Sequence, residues 1–262
     1  VHSVVGLSAT LSPSDFYRDL LGFDPQRLDV LSVPSPFPSD NRSVVIDATV
    51  STLYRLRPQN YPKIADRLAA FAERVPGNLL ALFPSYRFLD EVASRMEVRH
   101  KRVLIQSPSG SDREREAILD SLRSAITGDV LLLAVAGGVF AEGVDYPGDM
   151  LKAVAVVGPC LPGVSLEQDL LRRYYDERFE RGFEYAYVVP GMTRVVQAAG
   201  RLIRSADDTG VIALLDKRFL QEPYRLHLPD DWLLGEAPEG LVGDPETTAG
   251  EFFSRRHSAS DV

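Results

Sequence analysis

Gln197-Ala198-Ala199-Gly200-Arg201-Leu202-Ile203-Arg204 is the stretch on which the reading of this chain turns. The apolar spacing around it predicts a helix over Thr193–Ile203. On that helix Gln197, Gly200, Arg201 and Arg204 stand at i, i+3, i+4 and i+7 and share one face. Val195, Val196, Ala199, Leu202 and Ile203 make the opposite, apolar face, suited to packing on a sheet. Two guanidiniums one turn apart repel mildly, and an anion between them turns that cost into attraction. Planar, always-charged arginine suits a phosphoryl group whose charge grows in a transition state. Taken alone, the pattern equally describes a solvated amphipathic helix that carries arginines.

Outward from this stretch, apolar β-branched runs alternate with segments of helical period, the signature of a mainly parallel α/β sheet. Strands are predicted near Val4–Leu7, Val44–Asp47, Leu79–Phe83, Val103–Gln106, Val130–Val135, Ala153–Val157, Tyr185–Val189 and Val211–Leu215. Helices are predicted near Ser14–Leu21, Tyr61–Arg74, Tyr86–Arg95, Asp112–Ala125 and Leu166–Arg181, besides Thr193–Ile203. Ser12-Pro13-Ser14-Asp15 reads as a cap, an N1 proline and an acid, and Ser111-Asp112-Arg113-Glu114 as a capping box. Ser32–Asn41 (SVPSPFPSDN) is proline-rich and reads as a linker, and the tail from Gly235 is rich in Gly, Pro, Glu and Thr and reads as disordered.

The 262 residues, 45% hydrophobic and 25% charged, suit a soluble globular chain with a sizeable core. No apolar run is long enough to span a bilayer, and Val1-His2-Ser3-Val4-Val5 lacks the basic start of a signal peptide. A reducing, cytoplasmic setting is expected, with no membrane partner. The single cysteine, Cys160, excludes a disulfide framework and cannot alone hold zinc or an iron–sulfur cluster. The net charge of -8 argues against nucleic-acid binding by a broad basic face. About half of that charge comes from the tail, where Glu236, Glu239, Asp244, Glu246, Glu251 and Asp261 outnumber Arg255 and Arg256. Local phosphate contacts therefore remain open to the body of the chain.

The opening stretch resembles motif VI (QxxGRxxR) of superfamily-2 helicases, and other stretches resemble further motifs of the XPD and DinG group in order. Val4–Pro13 (VVGLSATLSP) resembles motif III, Leu79–Tyr86 (LLALFPSY) motif IV, and Gly138–Asp145 (GVFAEGVD) motif V. Ser35-Pro36-Phe37-Pro38 with Asn41 resembles the crossing linker, and Gly210–Phe219 (GVIALLDKRF) the strand and turn after motif VI. The match covers roughly residues 1–235, and its weight lies in the order of the motifs. It implies a RecA-like domain over 42–235, a mainly parallel sheet flanked by helices, acting as the second motor domain of an ATP-dependent DNA helicase. Residues 1–31 would be a strand–helix remnant of the first motor domain, 32–41 a linker and 236–262 an acidic disordered tail.

The resemblance also implies roles. Arg204 would be an arginine finger and Arg201 would hold the γ-phosphate, with Gln197, Gly200, Gly143 and Asp145 completing the ATP site. Ser85, Tyr86 and Glu142 would face nucleic acid, while Ser8 and Thr10 would couple nucleotide state to the strand being moved. The residues carry their own readings. Ser85 begins a helix after a buried strand, which makes either a phosphate site or a plain N-cap. Gly137-Gly138 permits close backbone approach, and Asp145 can offer a carboxylate to a ribose hydroxyl or to Arg201 or Arg204.

What is missing matters as much. None of Lys63, Lys101, Lys152 and Lys217 follows a glycine, so there is no P-loop, and no Asp-Glu-x-His stretch is present to hold Mg2+. ATP and Mg2+ would then bind with an N-terminal RecA-like domain as partner, and any iron–sulfur cluster would lie there too. Single-stranded DNA and forked duplex are the implied substrates, with 5′ to 3′ movement, and this part alone would not turn over ATP. His2, His100, His227 and His257 show no metal spacing, and Gly163-Val164-Ser165-Leu166-Glu167 breaks the nucleophile elbow at its last position. Two rivals remain: a non-catalytic RecA-like interaction module, and an unrelated doubly wound enzyme for a small molecule.

Overall fold

The structure is a computed structural model describing residues 2–8, 11–124, 129–233 and 237–260. After α1 (Ser14–Leu21) the chain alternates: β1 (Arg42–Asp47), α2 (Arg57–Arg74), β2 (Leu79–Phe83), α3 (Tyr86–Ala93), β3 (Arg102–Ile105), α4 (Asp112–Arg123) and β4 (Val130–Val135). It continues with the short α5 (Val139–Glu142), β5 (Ala153–Val156), α6 (Leu166–Phe179), α7 (Val189–Ala199), β6 (Gly210–Leu215), α8 (Asp230–Leu233) and α9 (Pro245–Ser260). The strands form one sheet in the order β1-β6-β5-β2-β4-β3, parallel throughout.

Strands buried on both faces read as unbroken apolar runs, and alternate residues serve opposite faces. Leu79, Ala81 and Phe83 of β2 pack with α2, α3 and α9, whereas Leu80 and Leu82 pack with α4, α5 and α7. Each fully buried leucine contributes about 1.5–3 kcal/mol of hydrophobic stabilisation. Connections stepping from β1 towards β3 carry α2 and α3 on one face, and those stepping back carry α4, α5 and α7 on the other. Right-handed crossovers demand that split. Every βα turn therefore opens at the same sheet edge, where ligands of such folds bind.

Three expectations need correction. Val4–Leu7 forms no strand: it has no regular secondary structure, Val4, Val5 and Leu7 are exposed, and it pairs with none of the six strands. Tyr185–Val189 is helical: a π-helical turn, Glu184–Val188, runs straight into α7. A short run buried all round looks alike as strand or helix, and here Pro190 in the first turn of α7 favours the helix while Gln168 donates to the Ala186 carbonyl. The tail is not disordered where it is described. Asp244 caps α9 by accepting from Thr247 N–H (3.0 Å), and Ala249 and Phe252 are buried against α2 and the sheet. Gly243 N–H donates to the Ile46 carbonyl (3.2 Å), so the tail covers the open edge of β1.

Smaller differences follow from caps. Pro13, not Ser12, stands at the N-cap of α1, without a side-chain cap, while Ser111 and Glu114 form the full capping box of α4. α1 lies outside the sheet. Phe16 packs edge-on against Tyr185, Asp15 pairs with Arg181, and Tyr185 OH donates to Asp19 (2.7 Å). No helix among the described residues is long and apolar enough to cross a membrane.

Candidate functional site

α7 buries Met192, Val195, Ala198 and Ala199 against the sheet and ends at Ala199, with Gly200 as its C-cap. The expectation that Gln197, Gly200, Arg201 and Arg204 share one helical face is therefore wrong. Only Gln197 stands on the helix, on its exposed side. Gly200 is a weak helix former, and beyond it Asp208 takes the Arg204 and Ser205 N–H groups (2.8 and 2.7 Å) that a continuing helix would spend on carbonyls. Leu202 and Ile203 stay buried, as their apolar pattern requires, so Arg201 and Arg204 still emerge on the outer side.

The arginines meet the turn after α5. The Arg201 guanidinium donates to the carbonyls of Glu142 (2.6 Å) and Val144 (2.9 Å), and the Arg204 guanidinium pairs with the Asp145 carboxylate. That turn is itself braced. Tyr146 is buried, its OH donates to the Phe140 carbonyl (2.7 Å), and burial pushes its pKa up. Gly143 caps α5, and a Cβ there would press within 3.2 Å of Val139. The Glu142 side chain points elsewhere, its carboxylate 4.0 Å from Arg194 Nε on α7. Arg194, one turn before Gln197, escaped the sequence reading because it lies outside the QxxGRxxR spacing.

A second cluster lies at the ends of β2, β3 and β4. Ser85 caps α3, its hydroxyl accepting from Phe88 N–H (3.3 Å). Tyr86 joins Gln106, Ser107, Ser111, Arg115 and Gly138 around an open groove of about 470 Å³. Gln106, also missed from sequence, is buried, and its Oε1 accepts from Val135 N–H (3.0 Å), tying the ends of β3 and β4 together. Gly138 has no room for a side chain, since a Cβ would fall 2.9 Å from both Gln106 Nε2 and the Val135 carbonyl. The groove is lined by the hydroxyls of Ser107 and Ser111, the Tyr86 ring, the Arg115 guanidinium and the Glu114 carboxylate, set among apolar side chains such as Leu104, Ile118 and Phe140.

A third, fully buried group locks β1 to β6. Asp216 accepts from Thr52 N–H and Oγ1 (both 2.7 Å) and from Arg218 N–H (2.8 Å), and Arg218 returns an ion pair at 3.0 Å. A buried charge is tolerable when paired and hydrogen-bonded in this way. Gly158, at φ +79°, is demanded by the same knot, because a Cβ would run into the Thr52 hydroxyl. Of the remaining expected residues, Ser8 lies in the exposed segment before α1, and Thr10 falls outside the described residues. Among the described residues no three His, Cys, Asp or Glu side chains gather to hold a metal.

A parallel RecA-like sheet with two arginines anchored on the turn after α5 defines a class, and comparison with known sequences agrees. The chain belongs to the helicase C-terminal domain family, whose sequence model matches residues 68–233. It is 28% identical over 226 residues to the ATP-dependent DNA helicase XPD of Sulfolobus acidocaldarius, covering 83% of this chain and 39% of that protein. It is 25% identical over 243 residues to the XPD/RAD3 helicase subunit of the general transcription and DNA repair factor IIH of Saccharomyces cerevisiae, covering 86% and 31%. Among solved structures, an XPD helicase superposes with a TM-score of 0.69 at 23% identity, over 84% of this chain and 40% of the other. The chain spans about a third of the length of the curated relatives it matches.

Proposed function

We propose that this chain is the second of two RecA-like motor halves in a helicase that couples ATP hydrolysis to 5′ to 3′ movement on single-stranded DNA and to opening of forked duplex. Residues 42–235 form the motor half, 32–41 the linker, and 1–31 belong with the first half. The observation that carries the reading is the meeting of Arg201 and Arg204 with the Glu142–Asp145 turn. One guanidinium is anchored on two carbonyls, and the other, among the described residues, pairs with an exposed carboxylate, Asp145 being 75% exposed. An arginine held by a solvated carboxylate leaves it at little cost, since such pairs contribute about 0–1 kcal/mol.

ATP would sit between this face and a P-loop-bearing half, which supplies most phosphate contacts and holds the Mg2+. Arg204 would swing to the γ-phosphate as charge builds there, Arg201 would hold the phosphate side of the turn, and Gln197, Gly200 and Gly143 would line the cleft. Single-stranded DNA would run along the groove past Ser85, Tyr86 and Glu142, where N–H groups at the start of α3 meet phosphate oxygens. Closure and reopening of the cleft would then move the strand, with Ser8 and Thr10 linking the two events. The test is turnover. The chain alone should hydrolyse no ATP with or without single-stranded DNA, and a preparation joined to its P-loop half should. Hydrolysis by the isolated chain that survives removal of contaminants would refute the two-half reading.

A further inference from the structure

Arg204 stands on a loop, so the direction of its side chain depends on what fixes the loop backbone. Two side chains do this without touching the guanidinium. Asp208, 5% exposed, lies four residues on and accepts through Oδ2 from both the Arg204 and Ser205 N–H groups. Charge-assisted bonds of this kind are stronger than neutral ones, and a nearly buried carboxylate is costly to leave unmatched. Asn41, just before β1, donates through Nδ2 to the Ala206 carbonyl at 2.6 Å. The other end of the same amide, Oδ1, accepts from Arg256 of α9 at 3.1 Å, and Arg256 also donates to the Asp40 carbonyl at 2.5 Å. One amide thus joins three parts of the chain: the segment before β1, the Arg204 loop and α9.

We propose that Asp208 and Asn41 are positioning residues for Arg204. Asp208 sets the backbone from which the guanidinium projects, and Asn41 ties that backbone to the 32–41 segment. The inference rests on the reading of Arg204 as an arginine finger. It makes the reach of that arginine respond to the segment that joins the motor halves, so that relative movement of the halves and placement of the finger are one event. α9 becomes the outer stop of this link, because Arg256 holds the amide of Asn41 in the orientation that faces Ala206.

The experiment is single-stranded-DNA-stimulated steady-state ATPase of the whole helicase carrying Asp208→Asn, Asn41→Ala, Arg204→Ala and the Asp208→Asn/Arg204→Ala pair, with a melting curve for each. Misplacing a catalytic group by a fraction of its reach lowers kcat, so Asp208→Asn should cost on the order of ten-fold or more. Asn41→Ala should lower kcat in the same direction, and KM for ATP should stay within about two-fold in both, as expected for an interaction made in the transition state. The paired variant should be no slower than Arg204→Ala alone, because both substitutions remove one function. Additive slowing in the pair, or a lower melting point with unchanged kcat, would overturn the inference and leave Asp208 a structural residue. Should Asp208→Asn fail to fold, Asn41→Ala decides alone, and a wild-type kcat there overturns the proposal. If Arg204→Ala itself keeps its kcat, the reading of the arginine fails, and the positioning proposal falls with it.

Discussion

The guanidinium of Arg204, on the loop before β6, pairs with the carboxylate of Asp145, on the turn after α5. The two belong to successive crossovers, β4 to β5 and β5 to β6, and they meet because both cross the same face of the sheet before entering the neighbouring strands β5 and β6. Arg201 is fastened to the same turn, donating to the Glu142 and Val144 carbonyls.

In the whole helicase, Arg204→Ala is expected to lower kcat by roughly 10³-fold or more, by analogy with arginine fingers elsewhere, with a much smaller change in nucleotide affinity. Arg204→Lys should rescue poorly, because lysine keeps the charge and loses the planar fork. Folding should survive, since Val195, Ala199, Leu202 and Ile203 remain in place. Steady-state ATPase beside a melting curve reads both, and near wild-type kcat in a folded Arg204→Ala protein would reduce this loop to scaffold.

Ser85→Ala should remove the N-cap of α3 and cost about 1 kcal/mol of stability, measurable by urea unfolding of the chain. If Ser85 also grips a phosphate, single-stranded DNA binding by the whole helicase should weaken while DNA-free ATPase stays level. A stability loss with unchanged DNA affinity would leave Ser85 a cap and nothing more.

Cys160 should be inert. It is buried, its Sγ donates to the Gly158 carbonyl at 3.4 Å, and burial pushes its pKa up to about 12, outweighing Arg194 and Arg218 nearby. The thiolate is the reactive form. Iodoacetamide at pH 8 should therefore label the folded chain negligibly and the urea-unfolded chain fully; rapid labelling of folded protein would contradict the packing described for the loop after β5.

The α9 helix should carry a measurable share of stability. Phe252 is 6% exposed and packs with α2 and the sheet, so Phe252→Ala is expected to cost about 3 kcal/mol or more. Urea melts of the two proteins would read the difference, and identical midpoints would return the tail to the status of an appendage.

Six strands and the helices α2, α3, α4 and α7 were legible because strands buried on both sides need continuous apolar runs and helices need a 3.6-residue stripe, whereas the sheet-facing α5 and α9 were not. Misread elements share a cause: composition or local pattern stood in for a partner. Val4–Leu7 has strand chemistry and no neighbour among the six strands, and Tyr185–Val189 has strand chemistry within a helical path that Pro190 continues. In the tail, Asp244-Pro245-Glu246 is a cap, a first-turn proline and an acid, a helix start hidden under an acidic, loop-like composition. Caps act locally and could have been read; the buried seat of Phe252 could not.

By itself, the sequence determined the parallel α/β class, the apolar faces, the Ser85 and Ser111 caps, and the residue types available for a phosphate-facing site. Side-chain chemistry and periodicity act within a few residues, so they are complete in the sequence. The tertiary structure alone decided that Arg201 and Arg204 leave the helix, that they meet the Glu142–Asp145 turn, and that Asp208 and Asn41 hold the loop between. Apart from Asp208, four residues beyond Arg204, those contacts join residues far apart in the chain, and they depend on strand order and crossover hand, which no local run of residues encodes.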